Sequence, residues 1–341
     1  MKLVCSCRGV VLVLLTGCAA TSAENAETNE SAKVIGERDL VRVAGDGANV
    51  PEKYRALLDG VGKLSNYCTA THIGNGIAVA AGHCFGAPAM RRDHLDCQGV
   101  TVVWGYRKDH PAVMTSSCEV VLAAEQSLAR DYAVFVVRPI PPVSLRTSDA
   151  ALEVGHPLTV FSHPLNHPLE WSQRCTLEPR ENLRQIGSNG TWGADMFTHA
   201  CDTAEGSSGS AILDDASLAI VGIHNGGVVP WNYATRISAV PIAELTRPDF
   251  DVPPIVRFTE PAGGGMVHGM IALEVDAHDV DGAIASVRFE LPSGPVTITE
   301  APWRIEWDTT QAPSAQHTIR AVATDERGAT RDATRTLRVQ N

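Results

Sequence analysis

"CTATHIGNGIAVAAGHCF", residues 68–85, contains two small-residue runs either side of a Gly-Asn-Gly turn and ends with a histidine beside a cysteine. The runs read as two strands joined by a tight turn. His83 closes the second strand, and Cys84 can pin its loop by bridging back to Cys68 on the first. Working outward, more short apolar or alternating runs fill residues 34–248: "VTVVW", "CEVVLAA", "YAVFVV", "HPLTVF", "SAILD" and "LAIVGIH". Gly, Pro, Asn and Asp punctuate them, which predicts a β-sandwich or barrel. Only "PEKYRALLDG" near the start and "PIAELTR" at the end read as helical.

"RPDFDVPP" is a proline-marked break, and residues 249–254 are expected to be a linker. Residues 255–341 carry about seven short strand-like runs, which suits a small Ig-like β-sandwich. "DVDG" and "DERG" read as turns between strands. Asp276, Asp279 and Asp281 offer carboxylates suited to calcium, but turn chemistry explains them equally well. No metal and no cofactor is expected.

The chain has 341 residues, 44% of them hydrophobic, with a net charge of −11 and no long basic stretch. That composition supports a packed core and argues against nucleic acid as a partner. At the N-terminus, Lys2 and Arg8 flank "GVVLVLL", an apolar run too short to span a bilayer. "LTGC" follows and resembles a bacterial lipobox, which implies lipid modification of Cys18 after removal of a signal within residues 1–18. Residues 19–33 have almost no large apolar side chain and read as a tether or propeptide. The expectation is an exported protein held to the cell envelope, touching membrane only through its lipid. Cys5 and Cys7 would leave with the signal. Cys68, Cys84, Cys97, Cys118, Cys175 and Cys201 would then meet an oxidising compartment. Pairing of sequence neighbours suggests 68–84, 97–118 and 175–201, although six cysteines leave other pairings open. Zinc is the rival reading, and no C-x-x-C pair supports it.

A serine nucleophile needs a base, and the base needs an orienting carboxylate. His83 follows an apolar strand, Asp131 opens the apolar strand "DYAVFVV", and Ser208 lies among the small residues of "EGSSGS". Their order along the chain is His, Asp, Ser. "CTATHIGNGIAVAAGHCF", "DYAV" and "GSSGS" together resemble the histidine, aspartate and serine segments of trypsin-like serine peptidases, and the resemblance covers residues 34–248. It implies an all-β chain: a chymotrypsin-like double antiparallel β-barrel followed by the Ig-like β-sandwich. It also implies a His83–Asp131–Ser208 triad in the cleft between the barrels, an oxyanion hole from the Gly206 and Ser208 N–H groups, and a protein or peptide substrate. An inactive, binding lipoprotein with the same fold is the alternative. The Ig-like module would dock a cell-surface or protein partner, or act as a spacer.

Ser207, just before the nucleophile, cannot form the aspartate–ammonium pair of the digestive branch. "CDTAEGSSGS" and "VIGERDLVRV" resemble the glutamyl endopeptidase branch, whose mature chain would start at Val34 after processing at Lys33. By that resemblance Thr203 and His224 bind a substrate carboxylate, which implies a preference for Glu. Asp202 is the competing feature, because a carboxylate six residues before the nucleophile can select Lys or Arg. Asn225 departs from the branch, where Trp is common. "SHPLNHP" places His163 and His167 four apart, but Pro164 and Pro168 forbid a metal-binding helix there.

Overall fold

The computed structural model describes residues 34–35, 38–179, 193, 195–228 and 231–341. The signal, Cys18 and the tether lie outside the described residues. Strands β1 (Val41–Arg42), β2 (Val61–Leu64), β3 (Thr69–Gly74), β4 (Ile77–Ala80), β5 (Arg92–Leu95), β6 (Thr101–Trp104), β7 (Met114–Gln126) and β8 (Asp131–Arg138) occupy the first part of the chain. Strands β9 (Pro157–Ser162), β10 (Glu170–Glu178), β11 (Met196–His199), β12 (Ala211–Asp214), β13 (Ile220–Val228) and β14 (Trp231–Arg236) follow.

Two antiparallel rings close. β7-β6-β2-β3-β4-β8 returns through a β7–β8 pairing, with β5 added outside on β7. β10-β11-β14-β13-β12-β9 returns through β10–β9, with β1 added on β10. Closure leaves no ring strand with an unpaired edge.

β8 explains why "YAVFVV" is apolar without alternation. Ala133, Phe135 and Val137 fill the first barrel with Leu64, Val102 and Trp104. Tyr132, Val134 and Val136 face the other way, into a core shared with Phe161, Leu213 and Ile223 of the second barrel. With both faces buried, no polar face is required. The second barrel has its own interior around Leu158, Val160, Phe197 and Ile212. The expected helix over "PEKYRALLDG" is a single turn, Glu52–Arg55, because the chain must enter β2 at Val61. The later helix spans Ile242–Leu245.

The C-terminal unit contains β15 (Ile255–Glu260), β16 (Met266–Val267), β17 (Met270–His278), β18 (Ile284–Leu291), β19 (Gly294–Ile298), β20 (Arg304–Asp308), β21 (Gln316–Asp325) and β22 (Thr330–Val339). They form two sheets, β15-β17-β20 and β16-β22-β21-β18-β19. The sheets enclose Leu273, Phe289, Trp307 and Ile319. The strand the sequence did not suggest is the two-residue β16, paired in parallel with β22. In the break before β15, Val252 is buried in the inter-barrel core, as is Ile255, the first residue of β15.

Candidate active site

His83 sits on the short turn Gly82–Phe85 directly after β4, and Asp131 is the first residue of β8. β4 and β8 are paired, so the two side chains meet. Asp131 Oδ2 lies 2.6 Å from His83 Nδ1, and Oδ1 accepts the His83 backbone N–H at 3.0 Å. The carboxylate therefore fixes the ring and its tautomer, leaving Nε2 as the acceptor of neutral imidazole. The disulfide Cys68–Cys84 ties the histidine turn to β3, and Cys97–Cys118 and Cys175–Cys201 are also formed. Cys68, His83 and Cys84 converge closely, but both sulfurs belong to that bond and offer no thiolate.

Ser208 lies in the loop before β12, in the second barrel. Thr69 of β3 holds this loop: its N–H donates to Ser208 O and its Oγ1 to Gly206 O, each at 2.9 Å. Gly206 has φ +93°, and a Cβ there would come 2.8 Å from His163 O, so only glycine fits. Leu165 N–H donates to Glu205 O at 2.5 Å, fixing the peptide whose N–H belongs to Gly206. Among the described residues neither the Gly206 nor the Ser208 N–H has a protein acceptor. Ser208 Oγ donates to Asn225 O at 3.3 Å and makes no hydrogen bond to His83 in this conformation. Catalytic hydrogen bonds often tighten only with substrate bound.

Asn225 and Thr235 support the carboxylate, a role no local sequence pattern marks. Asn225 Nδ2 donates to Asp131 O at 2.6 Å. Thr235 Oγ1 accepts the Asp131 N–H at 2.9 Å and lies 2.8 Å from Asn225 Oδ1. Two strands of the second barrel thus hold the carboxylate residue of the first.

Thr203 is fully buried, and among the described residues its hydroxyl has no partner. His224, on β13, accepts the Gly209 N–H on its carbonyl at 2.7 Å and is locked to the serine loop. Its Nδ1 lies 3.2 Å from Nε2 of His199, a residue that sequence reasoning missed. His199 Nδ1 accepts the Cys201 N–H at 3.3 Å. Burial pushes His199 down to about 3, so it is neutral and carries its proton on Nε2. That proton points at His224 Nδ1 and leaves the other His224 nitrogen as the N–H.

Asp202 does not stand open at a pocket base. It is buried, its Oδ1 accepts the Ile35 N–H at 2.8 Å, and its Oδ2 accepts the Asp39 N–H at 2.6 Å. Each Asp202 oxygen thus accepts a backbone N–H and the residue is 3% exposed, which disfavours the reading in which it receives a basic substrate side chain. His163 and His167 form a loop and not a metal pair: His163 Nδ1 bonds to His167 O at 3.0 Å, and His167 Nδ1 faces Glu170 at 3.2 Å. Of the calcium candidates, Asp276 faces His278, while Asp281 is held by Arg327 at 3.0 Å. Asp279 Oδ1 accepts the Asp281 N–H at 3.0 Å, as a turn aspartate does.

Residues 68–223 match the trypsin-like peptidase domain, and residues 254–321 match the bacterial Ig domain. No curated protein sequence matches. Among solved structures, a Glu endopeptidase is 17% identical over 62% of this chain and 96% of its own, with a TM-score of 0.46. The secreted serine protease VesC from Vibrio cholerae is 12% identical over 88% of this chain and 71% of its own, with a TM-score of 0.48. Fibronectin(III)-like modules of Clostridium thermocellum CbhA are 25% identical over 25% of this chain and 97% of theirs, with a TM-score of 0.23. Likenesses this distant carry no argument about activity or specificity. By its double barrel and its two family matches, the chain contains a trypsin-like peptidase domain followed by a bacterial Ig domain.

Proposed function

We propose that the protein is an exported, lipid-anchored serine endopeptidase that cuts after acidic residues. The observation that carries the enzymatic reading is the 2.6 Å His83–Asp131 contact, with Ser208 on a loop of the other barrel. Ser208 Oγ attacks the peptide carbonyl while His83 Nε2 takes its proton. The N–H groups of Gly206 and Ser208 receive the oxyanion, a contribution of ~3–4 kcal/mol per donor in comparable sites. His83 then protonates the leaving amine, and water releases the acyl group by the same proton path. Asp131 holds the ring and stabilises its charged form.

The acidic preference is supported by the partnerless Thr203 hydroxyl and by the His199-to-His224 proton order, which presents donors where a carboxylate would bind. Export and anchoring are supported by the sequence up to Cys18. A fluorophosphonate is expected to label Ser208, and Ser208→Ala to lower kcat by ~10⁴-fold or more. Absence of labelling in folded protein would sink the enzymatic reading. A peptide library is expected to be cut after Glu, whereas cuts after Lys or Arg would overturn the pocket assignment. Lipid labelling lost in Cys18→Ser tests the anchor.

A further inference from the structure

Asp202 is the residue whose sequence-based role and structural role diverge most. An ionised carboxylate that is only 3% exposed must be hydrogen-bonded to remain charged. Its donors come from a remote part of the chain, the amides of Ile35 and Asp39. That arm is fixed further along by Gln173 Nε2 donating to Asp39 O at 2.9 Å, by Val41 pairing with Trp171, and by the Val43 N–H on Leu169 O at 2.9 Å.

Asp202 is also one link in the segment 201–204. Cys201 is tied to Cys175, and its carbonyl accepts from Asn232 at 2.7 Å. Ala204 N–H donates to Ser207 Oγ at 3.2 Å. Thr203 therefore lies between a disulfide, the N-terminal arm and the serine loop. Without the arm, the Asp202 carboxylate would lose both donors and have to turn toward water, displacing its neighbour Thr203. Both donors are internal amides, present whether or not the chain is cut before Val34. Ser207 offers no charge to a new ammonium and is already bonded to Ser162 Oγ at 3.0 Å.

We propose that Asp202 is a positioning residue that binds the N-terminal arm through backbone N–H groups and thereby holds Thr203 and the serine loop. Asp202 does not select substrate, and its anchoring needs no free amine at Val34. The kinetic part of the test rests on the peptidase reading; the structural part does not. In the full chain, Asp202→Asn is expected to lower kcat/KM at least ~10-fold on Glu and Arg peptides alike. It should also abolish hydrogen-exchange protection at the Ile35 and Asp39 amides. Unchanged activity, unchanged protection, or a loss confined to Arg peptides overturns the proposal. Should that variant misfold, Ile35→Pro removes one donor and leaves the pocket residues intact; the same loss of protection at Asp39 is expected, and full retention overturns the proposal. Fluorophosphonate labelling of a chain retaining residues before Val34 should proceed within ~3-fold of one starting at Val34. Labelling only after cleavage overturns the claim that the anchor needs no free amine. If the wild type is not labelled at all, the peptidase reading fails while amide protection still decides the anchor.

Discussion

Thr235 and Asn225 show how a single side chain acts at a distance from the chemistry. Asp131 can orient His83 only if its own backbone is still, and the second barrel holds that backbone by three contacts. Thr235→Val keeps the shape and removes the hydroxyl that accepts the Asp131 N–H. Leaving a buried N–H unpaired costs ~1–3 kcal/mol. The expected result is a lower melting temperature and a kcat reduced ~10-fold, with KM nearly unchanged because no substrate contact is lost. Steady-state kinetics on one peptide, with a melt, checks it; a rise in KM alone would contradict it. The contact of His83 with Asp131 was legible in the sequence because each sits at the border of an apolar strand, and Ser208 stood out as a candidate in its run of small residues. Asn225, Thr235 and Thr69 were not, because cross-barrel register sets their roles and no local pattern records it. His199 left a faint signal, as a histidine two residues before Cys201 in "THACDT".

Among the described residues of the second barrel three histidines are fully buried, and two of them, His199 on β11 and His163 just after β9, are held neutral by that burial. Burial pushes His163 down to about 4 and His199 down to about 3. Both folded values lie below the unfolded 6.5, so the unfolded chain binds more protons as pH falls below 6.5. Stability is therefore fully present above that pH and is lost progressively down to the folded values. Each histidine contributes a slope of about 1.4 kcal/mol per pH unit in that window. His163→Phe keeps an aromatic ring beside Tyr106, from which His163 lies 6.1 Å centroid to centroid. It should remove the His163 share of that slope and leave the His199 share. Urea midpoints at pH 8, 6 and 5 for both proteins test this; parallel curves would show that His163 is not held neutral. At this scale the strands were readable from apolar runs and turns. The helix over "PEKYRALLDG" was not, since the pull of β2 at Val61 on its last turn is tertiary.

Across the whole chain, the Ig unit is docked onto the first barrel by named contacts. Arg257 reaches Asp96 at 2.7 Å, His278 reaches Glu119 at 3.1 Å, Arg138 donates to Val280 O at 3.2 Å, and Arg331 donates to His94 O. Two of these are side-chain ion pairs, of which the exposed Arg257–Asp96 pair contributes little, and two are part-buried hydrogen bonds to backbone carbonyls. The segment between the units matters more, because Val252 and Ile255 are 5% and 4% exposed in the same core as Leu122 and Val136. Burying each such side chain stabilises by ~1.5–3 kcal/mol. A chain ending at residue 248 loses both and bares their partners, a loss of about 3 kcal/mol or more. For a unit of roughly 200 residues, each kcal/mol moves the melting temperature by about 2–4 °C. The shortened peptidase should therefore melt about 10 °C below the full chain, and a chain ending at Val256 should recover most of that difference. The composition of "RPDFDVPP" suggested a linker, because proline and aspartate dominate it and Val252 is isolated within it. If the chain ending at 248 melts with the full-length protein, the segment is a linker without a stabilising role. If the chain ending at Val256 melts as low as the shorter one, the stabilisation comes from the sandwich itself and not from the strap.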